Sequence, residues 1–172
     1  MKIKIFPSLL IIIFLIIFVI FYKGLQNSNT YTPNVSIKKN IPIFTAKIFE
    51  TNNEINSKTI FKSDKFYLVN IWASWCKPCR DEHLFIKIIS KNKKIKVIGL
   101  NYKDNFINAK KFLNDMGNPY STILIDKDGT VAINWGAYGV PETFLVYKEK
   151  IIKRYIGPLN KEILREIEEI IK

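Results

Sequence analysis

The feature that most constrains this chain is a pair of cysteines three residues apart, set directly after a long apolar run. Cys76 and Cys79 are the only cysteines among the 172 residues. The run before them, Phe66–Trp72, is largely apolar and aromatic, which is typical of a central strand buried on both faces. Because no third cysteine exists to form a structural bridge, the pair is catalytic, metal-binding or accidental.

The residues that follow the first cysteine predict a helix that begins at the pair. Pro78 suits an early helical position, because the N–H that proline lacks would have no partner in the first turn. The predicted helix runs to Ser90, and an apolar stripe predicts its buried face: Leu84, Phe85, Ile88 and Ile89.

This placement predicts thiol chemistry with two distinct sulfurs. Only the thiolate is nucleophilic, and the unpaired N–H groups and dipole of a helix N-terminus favour the anionic form of Cys76. Cys79 lies one turn further in, so we expect it to face Cys76 and to be the more buried sulfur. Cys76 would then attack and Cys79 would resolve the mixed disulfide.

The alternatives to a redox pair are weaker. A structural zinc site uses four ligands, whereas the chain offers two cysteines and one histidine, His83, which we expect to pack or hydrogen-bond locally. Haem attachment requires a histidine directly after the second cysteine, and Arg80 occupies that position. No metal, nucleotide, flavin or haem cofactor is therefore predicted, and a coincidental pair of free cysteines is the least favoured interpretation.

The N-terminal region carries an apolar run that predicts a membrane anchor. No charged residue occurs from Ile5 to Tyr22, and a helix of that length rises about 27 Å, close to the thickness of the hydrocarbon core. The alternative is a cleaved signal peptide, but no Ala-x-Ala site ends the run, so we expect an uncleaved anchor in residues 1–23. Lys2 and Lys4 predict a cytoplasmic N-terminus, with the rest of the chain in an oxidising, periplasm-like space.

The remaining chain divides into a tether and one domain. Residues 24–40 are rich in Asn, Ser, Thr and Lys and predict a flexible linker, and residues 41–172 predict the globular domain. Strand and helix patterns alternate, from an edge strand at Pro42–Phe49 to a closing hairpin and a last helix capped by Asn160. This order predicts an α/β fold, a mixed sheet covered by helices on both faces.

The formal net charge of +12 does not indicate nucleic-acid binding. A nucleic-acid site would need basic residues clustered on one face and interleaved with aromatic residues, and the sequence shows no such cluster. The lysines instead predict a solvated surface beside an anionic membrane.

A second short motif, Gly139-Val-Pro-Glu-Thr143, lies downstream of the cysteine pair and directly before a predicted strand. Its proline invites a cis Val140–Pro141 bond, which is rarely present without a purpose, although an ordinary trans proline is the alternative. The motif is weak by itself and becomes informative in combination with the cysteine pair. Trp75 directly precedes the first cysteine and is predicted to lie on the surface, where it would shape a docking face, whereas Trp72 is predicted to be a core residue.

Together these motifs make the chain resemble the thioredoxin superfamily. More narrowly, it resembles the membrane-tethered thiol-disulfide oxidoreductases of cytochrome c maturation called DsbE or CcmG. The resemblance covers about Ile41–Leu159 and rests on these segments: Asn70–Cys76, Cys79–His83, Gly99–Asp104, Gly117–Tyr120, Asp126–Gly129, Trp135–Leu145 and Gly157–Pro158.

The resemblance implies a thioredoxin-like fold with an insertion and an added N-terminal strand. It also implies a reductant of narrow specificity, anchored in the bacterial inner membrane and facing the periplasm. Electrons would arrive from a membrane thiol transporter and pass to the disulfide of apocytochrome c, or to a partner thiol protein, before haem attachment. A different extracytoplasmic client, such as a copper-site protein, and a metal-binding chaperone remain alternatives.

By position, the resemblance assigns Cys76 as the nucleophile, Cys79 as the resolving thiol and Pro141 as a cis-proline. It places Glu82 and Glu142 near the cysteines, where a carboxylate raises the pKa of a thiol. The alternative for Glu82 is a solvated position on the helix.

Two further positions bear on the thiol chemistry. General thioredoxins carry a buried aspartate at the position of Asn70. The subgroup that this chain resembles also lacks that aspartate, and an amide cannot shuttle protons. Lys77 adds a cation beside the first cysteine, which would lower the thiol pKa and oppose the acids.

Overall fold

The computed structural model describes residues 5–26, 39–61 and 64–172, which fall into two units, Met1–Asn34 and Val35–Lys172. In the first unit, α1 (Ile5–Gln26) contains the charge-free run, and its apolar side chains from Leu9 to Phe21 are exposed. No helix among the described residues combines the length and apolar character that a membrane crossing requires. Most of the predicted tether and the first four residues of the predicted anchor lie outside the described residues.

The second unit is built on one seven-stranded sheet in the order β2-β1-β5-β4-β3-β6-β7. Only the pairs β3–β4 and β4–β5 are parallel, whereas the other four are antiparallel. The mixed sheet predicted from the sequence is therefore confirmed. Its strands are β1 (Thr45–Ile48), β2 (Glu54–Asn56), β3 (Phe66–Trp72), β4 (Ile95–Tyr102), β5 (Thr122–Asp126), β6 (Glu142–Tyr147) and β7 (Lys150–Ile156).

Helices cover both faces of this sheet, as predicted. They are α2 (Ser57–Ile60), α3 (Lys77–Ser90), α4 (Phe106–Met116), α5 (Thr130–Asn134) and α6 (Lys161–Ile170). Residues of α3, α4 and α6 share one buried cluster with Leu68 of β3. Residues of α5 share a second buried cluster with Val69, the next residue of β3. Because successive residues of a strand point to opposite faces, the two clusters are the two layers of the core.

The helices α4 and α6 each begin at an asparagine whose side chain caps them. Asn160 accepts hydrogen bonds from the N–H groups of Glu162 and Ile163, as the sequence predicts for the last helix. Asn105 caps α4 in the same way. Each cap satisfies backbone donors that the first turn leaves unpaired.

Two sequence-based assignments are wrong. The strand predicted at Pro42–Phe49 is not an edge strand, because β1 pairs with β5 on one side and with β2 on the other. The edge strand at this end of the sheet is β2, which is short and lies in a polar stretch where no strand was predicted. Short exposed edge strands carry little hydrophobic signal, which explains the omission.

The buried face of α3 also differs from the predicted apolar stripe. Leu84 is 60% exposed and Ile88 38% exposed, whereas the buried residues of the helix are Cys79, Glu82, His83, Ile86 and Ile89. A prediction from a hydrophobic stripe always assigns polar residues to the solvent-exposed face of a helix. In α3, however, the polar residues Glu82 and His83 are buried. Their burial is explained by the hydrogen bonds of the redox site described below.

A close approach of three aromatic rings fixes the end of β3 against α4 and the loop that follows it. The Trp72 ring stacks on Tyr120 with centroids 5.5 Å apart and lies 5.0 Å from the ring of Phe112. A Cβ atom at Gly99 would lie 2.8 Å from Nε1 of Trp72 and 2.9 Å from Cγ of Tyr120. The stack therefore requires glycine at position 99.

We expect Gly99→Ala to lower the free energy of unfolding by about 1–3 kcal/mol, because the added methyl group overpacks a rigid aromatic contact. The measurement is denaturant unfolding of the oxidised protein. Gly139→Ala is the matched control, since a Cβ atom there meets nothing within 4 Å. Equal stability of the two variants would contradict the packing argument.

Candidate redox site

The two cysteines lie at the start of α3 and form a disulfide. Cys76 is the N-cap residue, with extended backbone angles, and its Sγ accepts a hydrogen bond from the N–H of Cys79 at 3.1 Å. The S–S distance is 2.03 Å. Both residues are buried in this oxidised form, 3% and 2% exposed, so the expected difference in their burial is absent. The sulfur pair lies at a helix N-terminus, where backbone donors favour a thiolate.

The loop before Cys76 is held by the loop between β4 and α4. The carboxylate of Asp104 accepts hydrogen bonds from the backbone N–H and, at 2.7 Å, from the hydroxyl of Ser74. Asn101 donates to the same carboxylate at 2.9 Å. Asn101 and Asp104, which belong to the Gly99–Asp104 segment of the family resemblance, therefore brace the cysteine loop.

Trp75 is attached to this brace by its indole nitrogen. Nε1 of Trp75 donates to the carbonyl oxygen of Lys103 at 3.1 Å, while the residue remains 59% exposed. On the other side, Arg80 donates to the carbonyl oxygen of Ser74 at 3.1 Å and lies over the ring of Phe112. The ring of Trp75 is thus exposed beside the disulfide but anchored at its polar edge.

Glu82 lies one helical turn beyond Cys79 and is 1% exposed. One carboxylate oxygen accepts from the side-chain amide of Asn70 at 2.7 Å, and the other accepts from the N–H of Leu159 at 2.8 Å. Glu82 is therefore not a solvated helix residue. No cation contacts it within the described residues, so its charge is opposed only by neutral donors.

Asn70 is oriented by two further groups that the sequence analysis did not single out. Its side-chain oxygen accepts from the hydroxyl of Tyr120 at 2.8 Å, and its nitrogen donates to the hydroxyl of Thr143 at 3.0 Å. This assigns the amide N–H₂ to the side facing Glu82. Both residues lie in segments matched to the family, but only tertiary structure brings them to Asn70.

Burial dominates the electrostatics of this network. Removal from water raises the pKa of Glu82 from 4.5 to about 7, although the hydrogen bonds from Leu159 and Asn70 act in the opposite direction. Burial, and secondarily the charge of Glu82, also raises the pKa of Tyr120. The carboxyl group beneath the cysteines therefore changes its protonation near neutral pH.

His83 is also buried but faces a different neighbour. Its Nε2 lies 2.8 Å from the carbonyl oxygen of Gly117, and its ring packs edge-on against Phe112. Burial lowers the pKa of His83, so the neutral ring is favoured. The part of the chain that the structure describes contains no cluster of three or more His, Cys, Asp or Glu side chains suited to a metal ion.

The remaining predicted site residues lie in the loop before β6 and at the first residue of that strand. The Val140–Pro141 peptide bond is cis. Val140 is partly buried and packs against the core cluster that contains both cysteines. Glu142 is 1% exposed and accepts hydrogen bonds from the N–H groups of Tyr138 and Gly139 at 2.9 and 3.2 Å. Glu142 thus holds the proline loop, a role different from that of Glu82.

We expect the free energy of unfolding of the oxidised protein to fall as the pH rises from about 5 to 7, because of Glu82. Its pKa is higher in the folded state, so the folded protein binds more protons than the unfolded chain in this range. Glu82→Gln should remove this contribution, on the order of a few kcal/mol.

The measurement is denaturant unfolding at several pH values, with Glu168→Gln, an exposed position on α6, as the control. His83 contributes with the opposite sign, because its pKa is lowered, and it does so equally in all three proteins. Parallel pH profiles for wild type and Glu82→Gln would contradict the assigned protonation.

Comparisons with known proteins agree with this geometry. Residues 33–171 match the Redoxin family. The chain is 37% identical to the thiol:disulfide interchange protein DsbE of Tatumella citrea over 138 residues, which are 80% of this chain and 74% of the relative. It is 46% identical to the thiol:disulfide interchange protein CycY of Rhizobium leguminosarum over 103 residues, 59% of this chain and 55% of the relative.

The fold also matches solved structures. A thioredoxin family protein from Chlorobium tepidum superposes with a TM-score of 0.64 at 20% identity, covering 77% of this chain and 95% of that one. This likeness shows a thioredoxin-like fold. Together with the disulfide at the helix N-terminus and the sequence matches, it leads to one conclusion: the chain belongs to the redoxin family and, within it, to the thiol-disulfide oxidoreductases of the DsbE and CycY type.

Proposed function

We propose that the Cys76/Cys79 dithiol reduces the disulfide of apocytochrome c, or of a thiol protein that acts on it, outside the cytoplasm. The proposal is carried by one observation: the disulfide lies at a helix N-terminus, and a buried carboxyl group, Glu82, follows Cys79 by one turn of the same helix. The similarity to DsbE and CycY proteins supports the choice of client. A membrane thiol transporter would return electrons to the pair.

The reaction proceeds in two exchanges. The Cys76 thiolate attacks one sulfur of the client disulfide, a mixed disulfide forms, and the other client sulfur leaves as a thiolate. Cys79 then attacks the Sγ atom of Cys76, which breaks the mixed bond and forms the intramolecular disulfide. Two electrons pass to the client, which leaves as a dithiol, and the protein ends in the oxidised form described above.

The helix N-terminus supports the first exchange. The N–H of Cys79 already points at the Sγ atom of Cys76, and the same donor stabilises the thiolate once the disulfide is broken. Lys77, the first residue of α3, adds a positive charge next to the attacking sulfur. Both effects favour the anion that the attack requires.

Glu82 supports the second exchange in this proposal. Cys79 must lose a proton before it can attack, and a carboxylate with a pKa of about 7 is well matched to accept one at neutral pH. Glu82 follows Cys79 at a spacing of three residues, which places both side chains on one face of α3. Asn70 cannot take this role, because its amide does not titrate in this range.

Client docking is assigned to the surface around the disulfide. The exposed ring of Trp75 lies on one side, and the loop containing Val140 and Pro141 contributes to the other. Both are held in place by hydrogen bonds, to Lys103 and to Glu142 respectively. A client segment that carries a disulfide would therefore meet a rigid surface.

Cys79→Ser should trap the client, because the first exchange can occur but the mixed disulfide cannot be resolved. We expect the captured partners, separated without reductant and identified by mass spectrometry, to include apocytochrome c or a cytochrome c assembly thiol protein. A Cys76→Ser/Cys79→Ser protein is the control and should capture none of them. Capture of only other extracytoplasmic proteins, such as copper-site proteins, would refute the proposed client.

We also propose that residues 1–23 anchor the domain at the bacterial inner membrane and that residues 24–40 link the anchor to it. The support comes from sequence, in the absence of charge from Ile5 to Tyr22 and the lysines that precede this run. Positive charges at the start place the domain on the periplasmic side.

The full chain should remain in the membrane pellet after an alkaline carbonate wash, because an inserted helix is held by its apolar surface rather than by charge. A chain lacking residues 1–23, directed to the periplasm by a cleavable signal, is the control and should appear in the soluble fraction. Release of the full chain by the wash would contradict the anchor.

A further inference from the structure

We propose that one lysine-rich end of the second unit docks on an anionic phospholipid surface and thereby turns the cysteine pair away from the lipid. This inference rests on the membrane anchor proposed above, because the anchor keeps the domain beside a bilayer. It does not depend on which client the dithiol reduces. The docking surface, the lysine face, consists of seven exposed residues: Lys39, Lys65, Lys91, Lys93, Lys94, Lys148 and Lys150.

The sheet brings these lysines together from segments that are far apart in sequence. Phe66, at the start of β3, pairs with Ile95 of β4 on one side and with Tyr147 of β6 on the other. Tyr147 pairs in turn with Lys150 of β7, and Lys150 bridges to Asn40. Because neighbouring strands lie about 4.8 Å apart, this row of five chain segments spans about 20 Å. Each lysine of the face lies in this row or close to it in sequence.

The charge at this end of the sheet is unbalanced. The segments that carry the lysine face contain seven lysines and two acidic residues, Asp64 and Glu149; these segments are 39–41, 64–66, 91–94 and 147–150. At the other end, the segments that follow β3, β4 and β5 contain three lysines and two acidic residues; these segments are 73–77, 103–105 and 127–129. The excess of positive charge is therefore concentrated at the end of the sheet opposite the cysteines.

Local structure accounts for only part of this charge. Lys91 lies at the C-terminus of α3, where the helix dipole favours a cation. Lys94 donates to the main-chain oxygen of Lys172, so the end of α6, which carries Glu168 and Glu169, lies beside the face. These two acids reduce the excess charge but do not cancel it. In the part of the chain that the structure describes, no salt bridge joins an acidic residue to any lysine of the face.

The chain also enters the domain at the lysine face. The main-chain oxygen of Lys39 accepts from the N–H of Ile151 at 2.9 Å, and the N–H of Ile41 donates to the carbonyl oxygen of Glu149 at 2.9 Å. The residues that follow the predicted tether are therefore fixed to this end. The cysteines follow the other end of β3, and the seven residues of that strand separate the two ends by about 20 Å.

The partner that fits the lysine face is a surface of many phosphate groups rather than a nucleic acid. Every cation of the face is a lysine, a mobile point charge, whereas nucleic-acid sites combine basic residues with exposed aromatic rings and often use arginine. The aromatic rings at this end, Phe66 and Tyr147, are partly buried and stack on each other with centroids 4.4 Å apart. Clustered lysines are attracted to anionic headgroups without a fixed contact geometry.

Docking of this kind is reversible, because each lysine contributes little and salt screens the attraction. While the face is on the lipid, the cysteines point away from it and are open to a client. Release from the lipid lets the domain turn, so that the same pair can meet a thiol donor in the membrane.

The test is lysine footprinting of the full chain in lipid nanodiscs. An uncharged amine-reactive reagent acetylates each lysine, and mass spectrometry gives the rates in phosphatidylcholine discs and in discs rich in phosphatidylglycerol. We expect the anionic lipid to slow modification of the lysine face about fivefold, and high salt to remove the difference. Exposed lysines outside the face should react at the same rate in both kinds of disc; these are Lys110, Lys127 and Lys161.

Two triple variants with the same net charge separate the face from the total charge of the protein. Lys65→Gln/Lys93→Gln/Lys148→Gln should abolish the lipid-dependent protection of the two remaining reporters, Lys94 and Lys150. The control variant carries the same change at the three lysines outside the face and should keep that protection. All six positions are exposed, so neither variant should lose stability.

The outcomes separate this inference from the proposed function. A chain that does not enter nanodiscs would refute the anchor and the docking with it, whereas insertion without slower modification of the face would overturn the docking alone. Equal slowing inside and outside the face, or equal behaviour of the two triple variants, would show unoriented attraction and would also overturn it. Protection of the face by a DNA duplex but not by anionic lipid would reassign it to a nucleic acid. None of these results bears on the client captured by Cys79→Ser.

Discussion

The hydrogen bond between Glu82 and Asn70 is the interaction on which the redox site most depends. It joins α3, which carries the cysteines, to β3, the central strand of the sheet. Tyr120, Thr143 and Leu159 add partners from three other parts of the chain. A buried carboxyl group without such donors would be strongly destabilising, so the network is needed for the helix to lie where it does.

The two predicted acids have separate functions because their partners differ. Glu142 faces a guanidinium group and two backbone N–H groups, and these contacts hold the loop before β6. Glu82 meets only neutral donors, and burial brings its pKa into the physiological range. The same residue type thus serves as a brace in one place and as a proton carrier, in our proposal, in the other.

Sequence alone predicted a mixed sheet, the helix at the cysteines and the Asn160 cap of the last helix, because each depends on local patterns of a few residues. The hydrophobic stripe by itself assigns Glu82 and His83 to solvent, whereas the structure buries both among partners that are distant in sequence. Sequence alone also had no means of finding Arg154 of β7, whose buried guanidinium group contacts the carboxylate of Glu142, since a cation on a strand pattern usually faces water. These residues become recognisable only when the chain brings their partners together from positions far apart in sequence.

The attachment of Trp75 to Lys103 has a consequence for molecular recognition. A side chain that is immobile before contact loses little rotational freedom when another molecule covers it, so more of the contact energy is retained as affinity. The same bond disfavours partners of the wrong shape, because moving the indole aside would break its contact with Lys103. A fixed surface of this kind favours a few well-matched clients over the broad range that an adaptable surface would accept.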